Sequence, residues 1–406
     1  MKSSPSTISI RTTGTNLLRA KSHNHRVVLD VVRTQGPLSR AEIARKTLLS
    51  RQTIQNIVKE LHELGLVEFS REQPRAKRRG HPGVKVQFCA RGGYSLGIHL
   101  DQFSLKAVMT DLVGNILWQE KYGVVYPDPD MAVSVIRGIL QTLKDEKPQE
   151  SSRLMHIGLA LPGPFNISPE QQGDPTSLPK WSEPQVVDYL TDSLGMPVIV
   201  ENDASAAAVG ESLFGNGDIG DSFIYIYFGL GLGAGIFLDG GLYRGELKNA
   251  GEIGHMVVEL DGEPCSCGRH GCLERYVSLH SIYDSLAIPN PTEESLATVS
   301  RLFAENDSRV EQWLARAIPR LHQAVSCLTT ILDISTVVFG GKLPRPMIEI
   351  MVARLTGGRA CYSPVNGGRG LRVAIGASGP DATTLGAAAL AVAEQISPQV
   401  GLLLKE

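Results

Sequence analysis

Apolar residues recur at helical spacing through Val27, Val28, Val31 and Val32, which predicts a helix over 25–36 that Gly36-Pro37 ends. Ser39 then stands as N-cap to a second helix over 40–46, with Glu42 at the third position of a capping box. Ser50 caps a third helix, over 51–64, that turns Ile54, Ile57, Val58 and Leu61 inward. Gly65 is placed for a left-handed C-cap, and 66–69 reads as a short strand. From Tyr94 the pattern changes to strands alternating with helices. Strands are predicted at 94–100, 105–111, 115–122, 154–160, 197–201, 223–228, 234–238, 336–339 and 371–375. Helices are predicted at 131–144, 186–194, 204–213 and 381–394, with further helices after residue 274.

Three short helices, a strand and a basic loop describe a winged helix-turn-helix, whose third helix would enter the major groove of DNA. The mixed β/α order behind it occurs in two sets, which suggests two α/β lobes around a cleft. Ligands in such architectures sit at the carboxyl ends of strands, and Asn202-Asp203 stands at one. The expected organisation is a DNA-binding domain over 1–74, a basic linker or wing arm over 75–92, a first lobe over 93–200 and a second lobe over 201–380. A C-terminal helix over 381–406 would pack back on the first lobe.

Charge sharpens this division. The 406 residues carry a formal net charge of −2, yet residues 1–90 hold 17 Lys/Arg against 6 Asp/Glu. A basic N-terminal segment on an acidic body points to nucleic acid at one end only. On the third helix the outward residues are Arg51, Gln52, Gln55 and Asn56, which can read guanine and adenine edges by paired hydrogen bonds. Lys59 suits phosphate. The bland alternative is a helical interaction module with a wet polar face. The run from Arg75 to Gly83 is basic and kinked. It is read both as a linker and as an arm that lays Arg78 and Arg79 into a narrow minor groove. Residues 1–14 have no apolar core, and the longest uncharged run, 222–238, is too short and glycine-rich for a membrane span. A cytoplasmic protein without membrane insertion is expected, with its thiols reduced.

Half of the six cysteines fall in one run, Cys265, Cys267 and Cys272, with His255 nearby upstream. Three thiolates and one imidazole complete a tetrahedral zinc set with no open position, so the expected ion is structural. Pro264, Gly268 and Gly271 supply the turns. The competing reading is three loop cysteines, free or oxidised. Glu252 and Glu274 flank the cluster. Held rigidly, paired carboxylates suit the vicinal hydroxyls of a sugar; otherwise they are solvated surface acids.

The chain resembles the ROK family, which contains bacterial sugar kinases and transcriptional repressors. The resemblance rests on Leu161-Pro-Gly-Pro164, Leu178-Pro-Lys-Trp181, Glu201-Asn-Asp-Ala204, Gly229-Leu-Gly-Leu-Gly-Ala-Gly235, Gly251-Glu-Ile-Gly-His255, the Cys265–Glu274 run, Phe339-Gly-Gly341 and Gly379-Pro-Asp381. It covers about residues 20–395, including the DNA-binding segment of the repressor branch. It implies a two-lobed actin/hexokinase-like body and zinc at His255, Cys265, Cys267 and Cys272. It also implies sugar contacts at Asn202, Asp203, Glu252, His255 and Glu274. In kinase members the residue matching Asp203 is the general base toward the sugar hydroxyl.

Family kinases open the first lobe with an acid and a small-residue turn for phosphate. Here that stretch is Gly97-Ile-His-Leu-Asp-Gln-Phe-Ser104, with His99 at the acidic position. Gln102 and Phe103 are expected to crowd a nucleotide, and Asp101 to repel its phosphates. The reading preferred on sequence is therefore a repressor that binds operator DNA as a dimer or tetramer and releases it when a sugar or sugar phosphate enters the cleft. The alternatives are a sugar kinase carrying a DNA-binding domain and a repressor controlled by a sugar-transport protein.

Overall fold

A computed structural model of the chain describes residues 17–71, 84–163, 178–183, 185–215, 219–289, 292, 294–357 and 370–397. The chain divides into two compact units, one of Met1–Gly93 with Val392–Glu406 and one of Tyr94–Ala391.

The first unit opens with α1 (Leu17–Gln35), β1 (Leu38–Ser39), α2 (Arg40–Thr47) and α3 (Arg51–Glu63). Helix α1 begins eight residues earlier than its valine pattern indicated, because that pattern marks only the stretch that packs. Ser39 and Glu42 close a reciprocal capping box, with Ser39 N donating to Glu42 Oε2 at 2.7 Å. Ser50 accepts from Thr53 N at 3.1 Å and starts α3. Val28, Val32, Ile43, Ile54, Val58 and Leu61 are buried together as the small core. Two further strands, β2 (Val67–Arg71) and β3 (Val84–Phe88), pair antiparallel with Val67 opposite Phe88, and β3 also pairs with β1. The return strand β3 was not anticipated; its alternation of Val84, Val86 and Phe88 follows directly on the basic run. Arg78 and Arg79 lie outside the described residues.

The second unit contains two five-stranded sheets. The first is built from β4 (Tyr94–Leu100), β5 (Ser104–Asp111), β6 (Ile116–Gly123), β7 (Leu154–Leu161) and β8 (Val198–Asn202), in the order β6-β5-β4-β7-β8. Its helices are α4 (Pro129–Glu146), α5 (Pro148–Ser151), α6 (Val186–Leu194) and α7 (Asp203–Phe214). The second sheet uses β9 (Phe223–Phe228), β10 (Leu232–Leu238) and β11 (Gly241–Leu242), followed by α8 (Glu274–Val277), α9 (Leu279–Ser285), α10 (Ser295–Ala304) and α11 (Ser308–Leu332). It continues with β12 (Thr336–Gly341), α12 (Arg345–Thr356) and β13 (Arg372–Ile375), and its order is β11-β10-β9-β12-β13. In both sheets the first three strands in sequence are antiparallel neighbours and the last two join parallel. The two sets of elements are therefore the same topology used twice.

Strands β4, β9 and β12 are buried along their whole length, as strands covered on both faces must be. Their runs carry little alternation for that reason. The closing helix α13 (Ala382–Ile396) lies against the first sheet so closely that a Cβ on Gly158 would fall 1.8 Å from Ala387 O. Only glycine on the strand admits that approach.

Candidate functional site

The repeated topology brings two sets of strand ends to one cleft. From the first sheet come His99 and Asp101 after β4, Pro162 and Gly163 after β7, and Asn202 and Asp203 at the junction of β8 and α7. From the second come Tyr227, the Gly229–Gly233 turn and Lys342, with Glu252, His255 and Glu274 from the connecting loop. Ligands of α/β sheets gather where strands end, because backbone groups and helix N-termini are exposed there.

Asn202 is the N-cap of α7, and its Oδ1 accepts from Ala204 N at 2.9 Å and Ser205 N at 3.3 Å. Its Nδ2 and Glu252 Oε1 both face Gly163, 2.9 and 3.4 Å from where a Cβ on that glycine would stand. A donor and an acceptor from the two lobes thus flank the same residue. Asp203 is the first residue of α7. Withdrawal from water raises its pKa to about 6, against the pull of Lys342 and the Ala204 amide. His99 is buried, and that burial, with Lys342 nearby, pushes its pKa down to about 3, so its imidazole is neutral.

Next to the cleft, His255, Cys265, Cys267 and Cys272 bring one donor atom each within 4.8 Å of one another. Cys265 Sγ is 3.6 Å from His255 Nδ1, and Cys267 Sγ is 3.6 Å from Cys272 Sγ. A disulfide would need about 2.05 Å. A zinc tetrahedron with bonds of about 2.0–2.3 Å has edges of about 3.6–3.8 Å, so these spacings fit such an ion. The loop earns this geometry from its turns. Cys265 N donates to Arg269 O at 2.9 Å, Gly268 N donates to Cys265 O at 3.0 Å, and Gly271 sits at φ 71° with Glu259 O against its bare Cα. Burial works against the Cys267 thiolate, yet Arg269 and the neighbouring thiols bring its pKa down to about 7. The cluster could hold a metal ion.

Glu274, which opens α8, touches both features. Its Oε1 accepts from Cys265 Sγ at 3.0 Å and lies 3.3 Å from His255 Nδ1, and its side chain lines the cleft. All five residues expected to meet a sugar line this one cleft.

On the phosphate side the structure shows what surrounds the stretch from His99 to Ser104. Asp101 does not stand as an uncompensated negative charge. Its Oδ2 pairs with Lys342, and its Oδ1 accepts from Phe103 N at 2.9 Å and Ser104 N at 2.7 Å. Burial opposes that ionisation, but Lys342 and His99 hold the carboxyl well below its usual range. Gln102 and Phe103 stand at the edge of neighbouring space. They line a second cavity together with Lys106, Lys121 and Lys342. Lys342 was missed on sequence. It directly follows Phe339-Gly-Gly341 at the end of β12, and that strand-end position was the available signal.

In the first unit, Arg51, Gln52, Gln55, Asn56 and Lys59 are all exposed on α3, opposite buried Ile54, Ile57, Val58 and Leu61. Gln52 Nε2 donates to Asn56 Oδ1 at 3.1 Å, and Lys59 lies 3.7 Å from Glu63. No described helix is long and apolar enough to cross a membrane.

The chain is similar to a repressor, a transcriptional regulator and a kinase. The xylose repressor of Bacillus spizizenii is 29% identical over 267 residues, covering 66% of this chain and 68% of the relative. A solved ROK family transcriptional regulator, described as a homolog of the E. coli MLC protein, matches with a TM-score of 0.75 at 24% identity, covering 96% of this chain and 100% of that one. At that identity the likeness is one of fold. A ROK family glucokinase from Streptomyces griseus, solved with glucose and AMPPNP, matches at 25% identity and a TM-score of 0.57, covering 73% of this chain and 99% of that one. Residues 22–79 match the MarR family. Residues 95–394, nearly the whole of the two-sheet body, match the ROK family, and the chain belongs to it.

Proposed function

We propose that this protein is a sugar-responsive transcriptional repressor. The observation that carries the reading is the convergence of Asn202, Asp203, Glu252, His255 and Glu274 on one cleft in a chain whose other unit exposes Arg51, Gln52, Gln55, Asn56 and Lys59 on a capped helix. The carboxylates accept from sugar hydroxyls, and the Asn202 amide donates. His255, Cys265, Cys267 and Cys272 hold a structural zinc that fixes the loop carrying Glu252 and Glu274. The head binds operator DNA, with Arg51, Gln52, Gln55 and Asn56 toward base edges and Lys59, Arg78 and Arg79 toward the backbone or minor groove. Function as a dimer or tetramer follows from the need to place two heads on half-sites one helical turn, roughly 34–36 Å, apart.

A sugar that closes the cleft favours one lobe arrangement, and by linkage DNA weakens sugar binding by the factor with which sugar weakens DNA binding. Selection of bound fragments from genomic DNA yields the operator. Titrating sugar with and without that fragment tests the reading, and equal affinities reject it.

A second reading, a DNA-binding sugar kinase, draws on Asp203 at the start of α7 with its raised pKa and on the cavity beyond Lys342. The neutral His99, where the family resemblance implies an acid, argues against it, because magnesium is held by oxygen ligands. Incubation with labelled ATP and a hexose panel decides: phosphorylated sugar at kinase-like turnover replaces the repressor reading with this one.

A further inference from the structure

The second cavity adjoins the first through His99, Asp101, Gln102, Leu230 and Lys342, which line both. Much of its wall is apolar, formed by Phe103, Leu230, Leu279, Tyr283, Leu296 and Pro380. Phe103 is held in place at its edge. The backbone N of that residue donates to Asp101 Oδ1 at 2.9 Å, and its ring meets Tyr126 edge to face with centroids 5.8 Å apart. The residue is nonetheless 37% exposed. A fixed aromatic ring left partly bare offers a stacking surface. Gln102, Ser104 and Thr292 add uncharged polar groups to the same cavity. Two of the three ammonium groups on its wall are paired, Lys106 with Asp381 and Lys342 with Asp101. At the junction of the two cavities sits His99, 7% exposed, whose Nε2 has no hydrogen-bond partner among the described residues. A buried nitrogen left without a partner carries a desolvation cost that a ligand can relieve.

Resting on the sugar-sensor reading above, we propose that the effector is a disaccharide, with one ring in each cavity. The first ring lies against Asp203, Glu252 and Glu274. The second lays its C–H face on Phe103 and turns its hydroxyls toward Gln102, Ser104 and Thr292. His99 Nε2 meets the oxygens at the linkage between them. A pyranose has an apolar face and a polar rim, which matches a wall that is apolar on one part and hydrogen-bonding on another. Covering the apolar wall favours the longer ligand over a single ring, which would leave that wall to water. An uncharged second ring also breaks neither ion pair, whereas an anion there would compete with Asp381 and Asp101 for their lysines.

The test is calorimetric titration of the full-length protein with glucose, xylose, mannose and N-acetylglucosamine, each beside its own disaccharides in α and β linkage, and with phenyl β-glucoside and glucose 6-phosphate. At least one disaccharide is expected to bind about tenfold or more tighter than its monosaccharide. Leu296→Trp, which fills the second cavity from α10, is expected to remove that preference while leaving the monosaccharide within about twofold. Phe103→Ala should do the same and Phe103→Tyr should keep the preference, with unchanged melting temperatures establishing that the variants fold. Monosaccharides that bind as tightly as every disaccharide, a phenyl glucoside or 6-phosphate that matches the best disaccharide, or a preference indifferent to both Leu296→Trp and Phe103→Ala each overturn the inference while the sugar-sensor reading stands. Folded protein that binds no sugar of either size overturns both.

Discussion

Lys342, at the end of β12 in the second sheet, pairs with Asp101, just past β4 in the first, across 241 residues of sequence. The pair ties the two lobes at the point where the two cavities meet. The carboxylate also holds its own turn through Phe103 and Ser104, so its position does not depend on the lysine alone. Removing the acid strands a partly buried ammonium near neutral His99.

Asp101→Asn is therefore expected to destabilise the body by about 1–3 kcal/mol, the usual cost of a buried charged group left without its partner. The double variant with Lys342→Gln should recover part of that loss. Urea unfolding of the two singles and the double measures the coupling, and additive effects would show that the pair contributes nothing.

The acid at the head of α7 sets a pH dependence for sugar binding. Asp203 has a pKa raised from 3.8 to about 6, so below pH 6 a proton must leave before the carboxylate can accept from a hydroxyl. Affinity should rise about tenfold between pH 5 and pH 7, then level off. The same raised value means the folded state loses stability as pH climbs from about 4 to about 6. Asp203→Asn should flatten both profiles and weaken sugar binding; a titration series in constant ionic strength checks this, and a slope retained by the variant assigns it elsewhere.

Metal content gives the third expectation. Purified protein should carry one zinc per chain by elemental analysis, and Cys272→Ser should abolish it. Cys272 is fully buried and belongs to a loop whose turns are otherwise short backbone bonds, so loss of the ion should loosen Glu252 and Glu274 and weaken sugar binding by about tenfold or more. Wild-type protein free of zinc that still binds sugar rules out this structural role.

On α3 the exposed side chains should separate into two classes. Arg51→Ala or Gln55→Ala should cost about 1–3 kcal/mol on the operator and relax base preference at one position. Lys59→Ala should weaken operator and random DNA alike and reduce the salt slope by about 1. Because these residues are exposed, melting temperature should hold within a degree or two. Binding isotherms at several salt concentrations distinguish the two classes.

Local chemistry was the legible part of this chain. Ser39, Glu42 and Ser50 announced two helix starts, and the metal-type cluster lies within eighteen positions of sequence, from His255 to Cys272. The strands Tyr94–Leu100 and Phe223–Phe228 and the helix Val186–Leu194 match their sequence-based bounds. The return strand Val84–Phe88 was overlooked because a basic run with glycine and proline precedes it and its pairing is with distant β2 and β1. Lys342 and the lysine-walled cavity were not legible, since they depend on side chains brought together by the fold. Local pattern also left out the partner of Asp101, whose charge is answered from the other lobe.

The contact between Gly158 and Ala387 has a bearing on how this chain is made. Strand β7 is translated well before the helix that must cover it, and the fit between them is backbone against backbone, with no slack for a substitute. The strand thus waits without that cover until residues 382–396 have emerged, and during synthesis the waiting face is where a chaperone would have most to hold.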